Sequence, residues 1–89
     1  MSDKPKWYMV TLVGKDRAGI VAHVTSAIFE AEGNLGETSM MRLGGNFTIM
    51  MMVQYSGNKK SLHDALSCVA DSMSLTLHID KISADLHPI

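Results

Sequence analysis

A chain of 89 residues with a formal net charge of −1, 46% hydrophobic and 19% charged side chains makes one globular domain, too short for two and too apolar for disorder. With acidic and basic residues interspersed, that charge excludes the basic field that direct nucleic-acid binding needs. The single Cys68 excludes an internal disulfide and fits a reducing, cytoplasmic setting.

Met1 to Lys6 is polar and precedes no apolar signal region, and runs such as Ile49–Val53 fall far short of a membrane span. Trp7–Val13 (WYMVTLV) is rich in strand formers and ends at Gly14, which predicts a first strand. The polar loop Lys15–Gly19 follows. From Ile20 the period changes: Ile20, Val21, Val24, Ala27, Ile28 and Ala31 share one helical stripe, and Gly33 supplies a stop. Leu35–Leu43 alternates as a strand, with Leu35, Glu37, Ser39, Met41 and Leu43 on one side. Gly44-Gly45-Asn46 turns the chain, and Phe47–Tyr55 returns as the partner strand of a hairpin, with Phe47, Ile49, Met51, Val53 and Tyr55 facing one way. Ser56-Gly57-Asn58 is another break. Leu62, Ala65, Leu66, Val69, Ala70 and Met73 predict a second amphipathic helix, and Leu75, Leu77 and Ile79 a last strand.

The order β-α-β-β-α-β is that of an α+β, ferredoxin-like fold: a four-stranded antiparallel sheet with two helices on one face. Right-handed crossovers put strands one and three in the centre and strands two and four at the edges. The expected domain spans residues 7–83, flanked by tails at 1–6 and 84–89. The other face of such a sheet is left to water or to a partner. On strand three it would carry Thr48, Met50, Met52 and Gln54, on strand two Thr38, Met40 and Arg42, and on strand one Met9 or Tyr8. Eight methionines in so short a chain suggest an adaptable contact surface there and an assembly of at least two copies.

Function must be read from sites, because this fold hosts many. The most informative stretch is Gly14–Val21, where a strand passes through a tight loop into a helix. A helix N-terminus presents unpaired N–H groups and a positive partial charge, so it can hold a carboxylate. Gly19 would allow close approach, and Asp16 could meet an ammonium group or simply cap the helix. Together they outline a site for a zwitterion.

The segments Val10–Val21 (VTLVGKDRAGIV), Gly33-Asn34-Leu35 and Met40–Phe47 (MMRLGGNF) resemble the ACT domain family. The likeness is to the branch holding the glycine cleavage system transcriptional repressor and small stand-alone relatives, and it covers residues 7 to about 82. It implies a regulatory module that binds an amino acid or similar effector where two domains pair, with no cofactor and no catalysis. By position, Asp16, Arg17, Ala18, Gly19 and Ile20 would supply the pocket from one subunit, and Asn34 would face the ligand across the interface. The family often has proline where Ala18 stands, so the loop is less preorganised here. Repressors of the branch usually carry two such modules, which sets a single one apart from direct repression.

Other chemistry finds less support. His23, His63, His78 and His87 lack metal-ligand spacing and Cys68 has no CxxC partner. His78 and Asp80 read as a polar pair on strand four. No Ser, Cys or Thr sits in an activating motif. An acylphosphatase-like enzyme could use Arg17 and Asn34, but Asp16 would repel its phosphate. An RNA-recognition sheet would need aromatics in a basic surround. A dimerisation domain without a ligand is the main alternative.

Overall fold

The computed structural model describes residues 6–15 and 17–82. Its elements are β1 (Lys6–Lys15), α1 (Ile20–Glu30), β2 (Asn34–Leu43), β3 (Asn46–Tyr55), α2 (Lys59–Ser72) and β4 (Thr76–Ile82). The strands form one antiparallel sheet in the order β2-β3-β1-β4, so the expected fold class and the expected central strands are both present. β1 starts at Lys6, one residue inside the expected N-terminal tail. Asp16, His87 and the expected tail at 84–89 lie outside the described residues.

The core follows from two superposed periods. Tyr8, Val10 and Leu12 alternate along β1, and Phe47, Ile49, Met51 and Val53 along β3, while Ile20, Val24, Ala27 and Ile28 recur at helical spacing on α1. Leu62, Leu66 and Ala70 of α2 join the same buried cluster, so both helices cover one face of the sheet. Full burial of each large side chain stabilises by about 1.5–3 kcal/mol relative to exposure. Tyr8 therefore belongs to the core and not to the open face considered for it; its hydroxyl donates to the Gly57 carbonyl at 3.1 Å. Met9, opposite Met52, takes the open face.

β2 departs from the expected alternation. The hairpin turn contains two residues, not three: Gly44 and Gly45 have φ of 57° and 82°, and Leu43 pairs with Asn46. Two positive-φ residues make the tight connection that matches strand twist. Arg42 then falls opposite Phe47 and Met40 opposite Ile49, while Met41 pairs with Thr48. Thr38, Met40 and Arg42 consequently share the helix-covered face, and Ser39, Met41 and Leu43 take the open one. Leu35 nevertheless stays opposite Val53, because a bulge between Leu35 and Thr38 inserts one extra residue. A one-residue offset exchanges the two faces of a strand. All of β2 is exposed, since it is an edge strand.

Both helices end in the same way. Gly33 N–H donates to Ile28 O and Glu32 N–H to Phe29 O, each at 2.9 Å, and Glu32 takes a left-handed φ of 66°. Leu75 and Ser74 repeat these bonds on Ala70 and Asp71, with Ser74 at φ 58°. These are Schellman closures. The left-handed residue after α1 is Glu32, not the glycine that suggested the stop.

Candidate functional site

The β1–α1 loop runs beside the β2–β3 hairpin because β1 and β3 are paired up to Lys15 and Asn46. Arg17, Ala18, Gly19 and Ile20 meet Val21, Ala22, Arg42 and Phe47 around an open cleft of about 290 Å³. Four of the residues expected to bind a ligand are thus brought together. Asp16, their neighbour in sequence, lies outside the described residues.

Backbone geometry shapes the cleft. Gly19 is the N-cap of α1 and has φ 84°, and no side-chain cap bond is made there. Its carbonyl accepts from the His23 N–H at 2.9 Å and from His23 Nδ1–H at 2.8 Å, which ties the loop to the first helical turn. A Cβ at Gly19 would stand 3.3 Å from the His23 ring. The first-turn N–H groups of α1 carry the partial positive charge of the helix toward the cleft. Across it, the Arg42 guanidinium lies 5.7 Å from the centre of the Phe47 ring, a cation–π arrangement that directs a long flexible side chain. The cleft can hold a small anionic group between two guanidiniums and a helix end, on a floor of Ile20 and Phe47, both buried.

Asn34 is elsewhere in the same chain. It pairs with Gln54 at the opposite end of β2 from Arg42, roughly 25 Å away at about 3.3 Å per residue. Arg17 and Asn34 therefore do not form the joint phosphate site that an acylphosphatase-like reading requires. Arg42 and Phe47 were missed as site residues, although both lie in the Arg-Leu-Gly-Gly-Asn-Phe stretch. The signal that could have found them is the pair of glycines, which makes a two-residue turn and so sets Arg42 beside Phe47.

Among the described residues the remaining polar groups do not build a second centre. His78 Nε2 lies 3.1 Å from Asp80 Oδ2, both well exposed and on one strand. Among the described residues no group of three or more His, Cys, Asp or Glu side chains gathers to hold a metal ion, and Cys68 is free and exposed. No helix of the described residues is long and apolar enough to cross a membrane.

Comparison with known proteins agrees with this architecture. An ACT domain family model matches residues 7–80. The UPF0237 protein YjhC of Lactococcus lactis is 38% identical over 74 residues, covering 82% of this chain and 85% of its own. Among solved structures, an ACT domain protein from Streptococcus pneumoniae superposes with a TM-score of 0.78 at 24% identity, covering 94% of this chain and 98% of that one. A structure described as a glycine cleavage system transcriptional repressor gives a TM-score of 0.81 at 22% identity; it covers 96% of this chain, which spans only 50% of that protein. At such identities the structural likeness establishes the fold, and the family rests on the sequence match over most of the chain. This chain belongs to the ACT domain family.

Proposed function

We propose that this chain is a non-catalytic, cytoplasmic regulatory module that binds a free amino acid or similar small zwitterion in the cleft between the β1–α1 loop and the β2–β3 hairpin. The observation that carries the reading is the convergence of Arg17, Arg42 and the open N-terminus of α1 on one small cleft. The ligand carboxylate is held there by charge-assisted hydrogen bonds, and Asp16 is assigned to its ammonium group. A second copy completes the site. β2 is a ten-residue edge strand, and antiparallel pairing of two such edges sets Asn34 of the partner subunit beside the Arg42 end of this one.

Thermal denaturation in the presence of each of the twenty amino acids tests the proposal. A five-atom ligand is limited to roughly 7–8 kcal/mol at about 1.5 kcal/mol per atom, a Kd no better than a few micromolar. Ordering a loop without proline lowers this, so the expected Kd is roughly 10 µM to 1 mM. At a hundredfold excess over Kd the ligand adds about 2.7 kcal/mol of stability, a readily measured rise in Tm. If none of the twenty moves the Tm of a protein that light scattering shows to be dimeric, the ligand reading fails. The exposed apolar edge, with Leu35 and Met40 on its helix side, then favours a dimerisation domain that binds no small molecule.

A further inference from the structure

On the face of the sheet away from the helices, Met9, Met50 and Met52 meet in one groove. Tyr8, Val10, Met51 and Val53 point into the core, so the pleat sends these neighbouring methionines to the other side. Met9 stands directly opposite Met52, and Met50, opposite Thr11, is its diagonal neighbour. Directly opposed Cβ atoms lie about 4.5–5.5 Å apart and diagonal ones about 7–8 Å, within reach of long side chains. The groove has a volume of about 320 Å³, and Glu37, Thr38 and Ser39 from the bulged stretch of β2 complete its wall. Met50 is 43% exposed, whereas Met52 keeps only 9% of its surface open although it faces away from the core. Gly36 explains the cover. A Cβ built there would stand 2.8 Å from the Trp7 ring and 3.3 Å from the Met52 Cβ, so the bare glycine backbone lets the indole lie beside Met52.

We infer that this groove binds one copper(I) ion, with the Met9, Met50 and Met52 thioethers as ligands and the Glu37 carboxylate as its counter-charge. Donor chemistry selects the ion. A thioether sulfur is neutral, soft and polarisable, and it suits copper(I). Magnesium and calcium are hard cations that take about six or more oxygen ligands, and the groove wall offers one carboxylate and two hydroxyls. Zinc is held by thiolate, imidazole and carboxylate, and among the described residues no three His, Cys, Asp or Glu side chains gather to supply them. Copper(I) has a filled d shell and imposes no strict geometry, so three sulfurs on flexible unbranched stems can close on it while the strands stay in place. The charges also match. Copper(I) brings one positive charge, the thioethers bring none and Glu37 brings one negative charge, which gives a cation leaving water the partner it requires. For a purely apolar occupant the same carboxylate would have to be desolvated without a partner. No proton competes for a thioether, either. Thiolate and imidazole sites lose metal as their ligands protonate, whereas these sulfurs stay available in mild acid.

Anaerobic titration of Cys68→Ala with copper(I), in competition with a chromophoric copper(I) chelator, tests the inference. The substitution removes the only thiol, which is free and exposed and would bind the ion by itself. One ion per chain is expected. Emission from Trp7, the only tryptophan, falls as the ion binds, because the indole lies beside Met52. Silver(I) has the same charge and a filled d shell, resists oxidation and gives the same stoichiometry, so it serves for NMR of isotope-labelled methionine methyl groups. The Met9, Met50 and Met52 methyl signals shift, and those of Met41 and Met73 stay in place. Within the Cys68→Ala background, Met50→Leu and Met9→Leu, which nearly conserve side-chain volume, each lower the affinity at least about tenfold, the scale on which even outer partners of a metal site act. Met41→Leu, exposed on the same face but outside the groove, leaves it unchanged. Between about pH 7.5 and about pH 5.5 the affinity holds within about threefold, which an imidazole site would not do. If circular dichroism shows Met50→Leu unfolded, Met9→Leu carries the comparison. Failure to hold copper(I) against the chelator overturns the inference, as does equal affinity in a folded Met9→Leu. Binding that leaves the three methyl signals unmoved, or that is lost in mild acid, overturns it as well.

Discussion

Arg42→Met separates the binding role of Arg42 from its structural one. The substitution keeps an unbranched apolar stem over Phe47 and removes the guanidinium from the cleft. On the structural side it loses a cation–π contact at 5.7 Å, which at an exposed site is worth about 0.5–1 kcal/mol. For a domain of this size the loss of that contact by itself is worth about 2–8 °C in Tm. On the binding side it removes a charge-assisted hydrogen bond to the ligand carboxylate, worth about 1.5–3 kcal/mol. The affinity should then fall roughly 10- to 150-fold. Isothermal calorimetry with the amino acid that most stabilises the wild type measures one quantity, and thermal denaturation the other. Affinity within twofold of wild type would refute the assignment of Arg42 to the ligand. A Tm loss well beyond 10 °C accompanying the binding loss would assign Arg42 to the fold instead.

Glu32→Gly relieves a left-handed residue at φ 66° and removes a negative charge from the C-terminal end of α1, for a gain of about 1 kcal/mol; Tm should rise by about 4–8 °C, and Glu32→Ala, which keeps the strain, should rise less. Gly19→Ala should lower Tm, because φ there is 84° and the new Cβ meets the His23 ring, whereas Gly19→Asp should lose effector affinity well beyond Gly19→Ala by placing a carboxylate at the anion position. Equal binding by these two variants would remove the anion from the model. Burial, and secondarily the neighbouring Tyr55, raise the Tyr8 pKa above its usual 10.0. The fold thus favours neutral Tyr8, and this contribution is complete below pH 10 and lost as pH rises through the raised value. Urea midpoints should therefore fall more steeply between pH 9 and 12 for the wild type than for Tyr8→Phe.

Most of the fold could be read from the chain because its two periods are clean. Ile20, Val24 and Ile28 recur as a helical stripe, and Phe47, Ile49, Met51 and Val53 alternate without a fault, and all of them are buried. β2 could not be read this way. Its residues are exposed on both faces, so no buried row constrains its register, and alternation alone gives two answers. The turn length and the bulge decide between them, and each amounts to a single residue. Counting Asn46 into the turn placed Arg42 on the wrong face and hid its meeting with Phe47. The loop Arg17–Ile20 was legible because a glycine between a strand and a helix has few other uses. Asn34 is a different case. Its assignment depends on a second copy, and a single chain places it with Gln54, away from the cleft.

The exposed edge and the cleft are neighbours, and that adjacency couples association to binding. An edge strand of ten residues with Leu35, Met40, Met41 and Leu43 exposed is a poor terminus for a sheet; such edges are usually blunted by charge, proline or a bulge. Here the bulge between Leu35 and Thr38 leaves the run from Thr38 to Leu43 regular and able to pair. If each ligand touches both copies, it binds the dimer and not the separated chains. At a hundredfold excess over Kd each of two equivalent sites then adds about 2.7 kcal/mol to the dimer. The pair adds about 5.4 kcal/mol, close to a 10⁴-fold tightening of the edge contact. Reciprocity requires the converse: dilution below the dimer constant must weaken the ligand by the same coupling. Sedimentation of the protein over a dilution series, with and without the stabilising amino acid, reads this coupling directly. A dimer constant unchanged by saturating ligand would show that the cleft is complete within one chain and that Asn34 has no part in it.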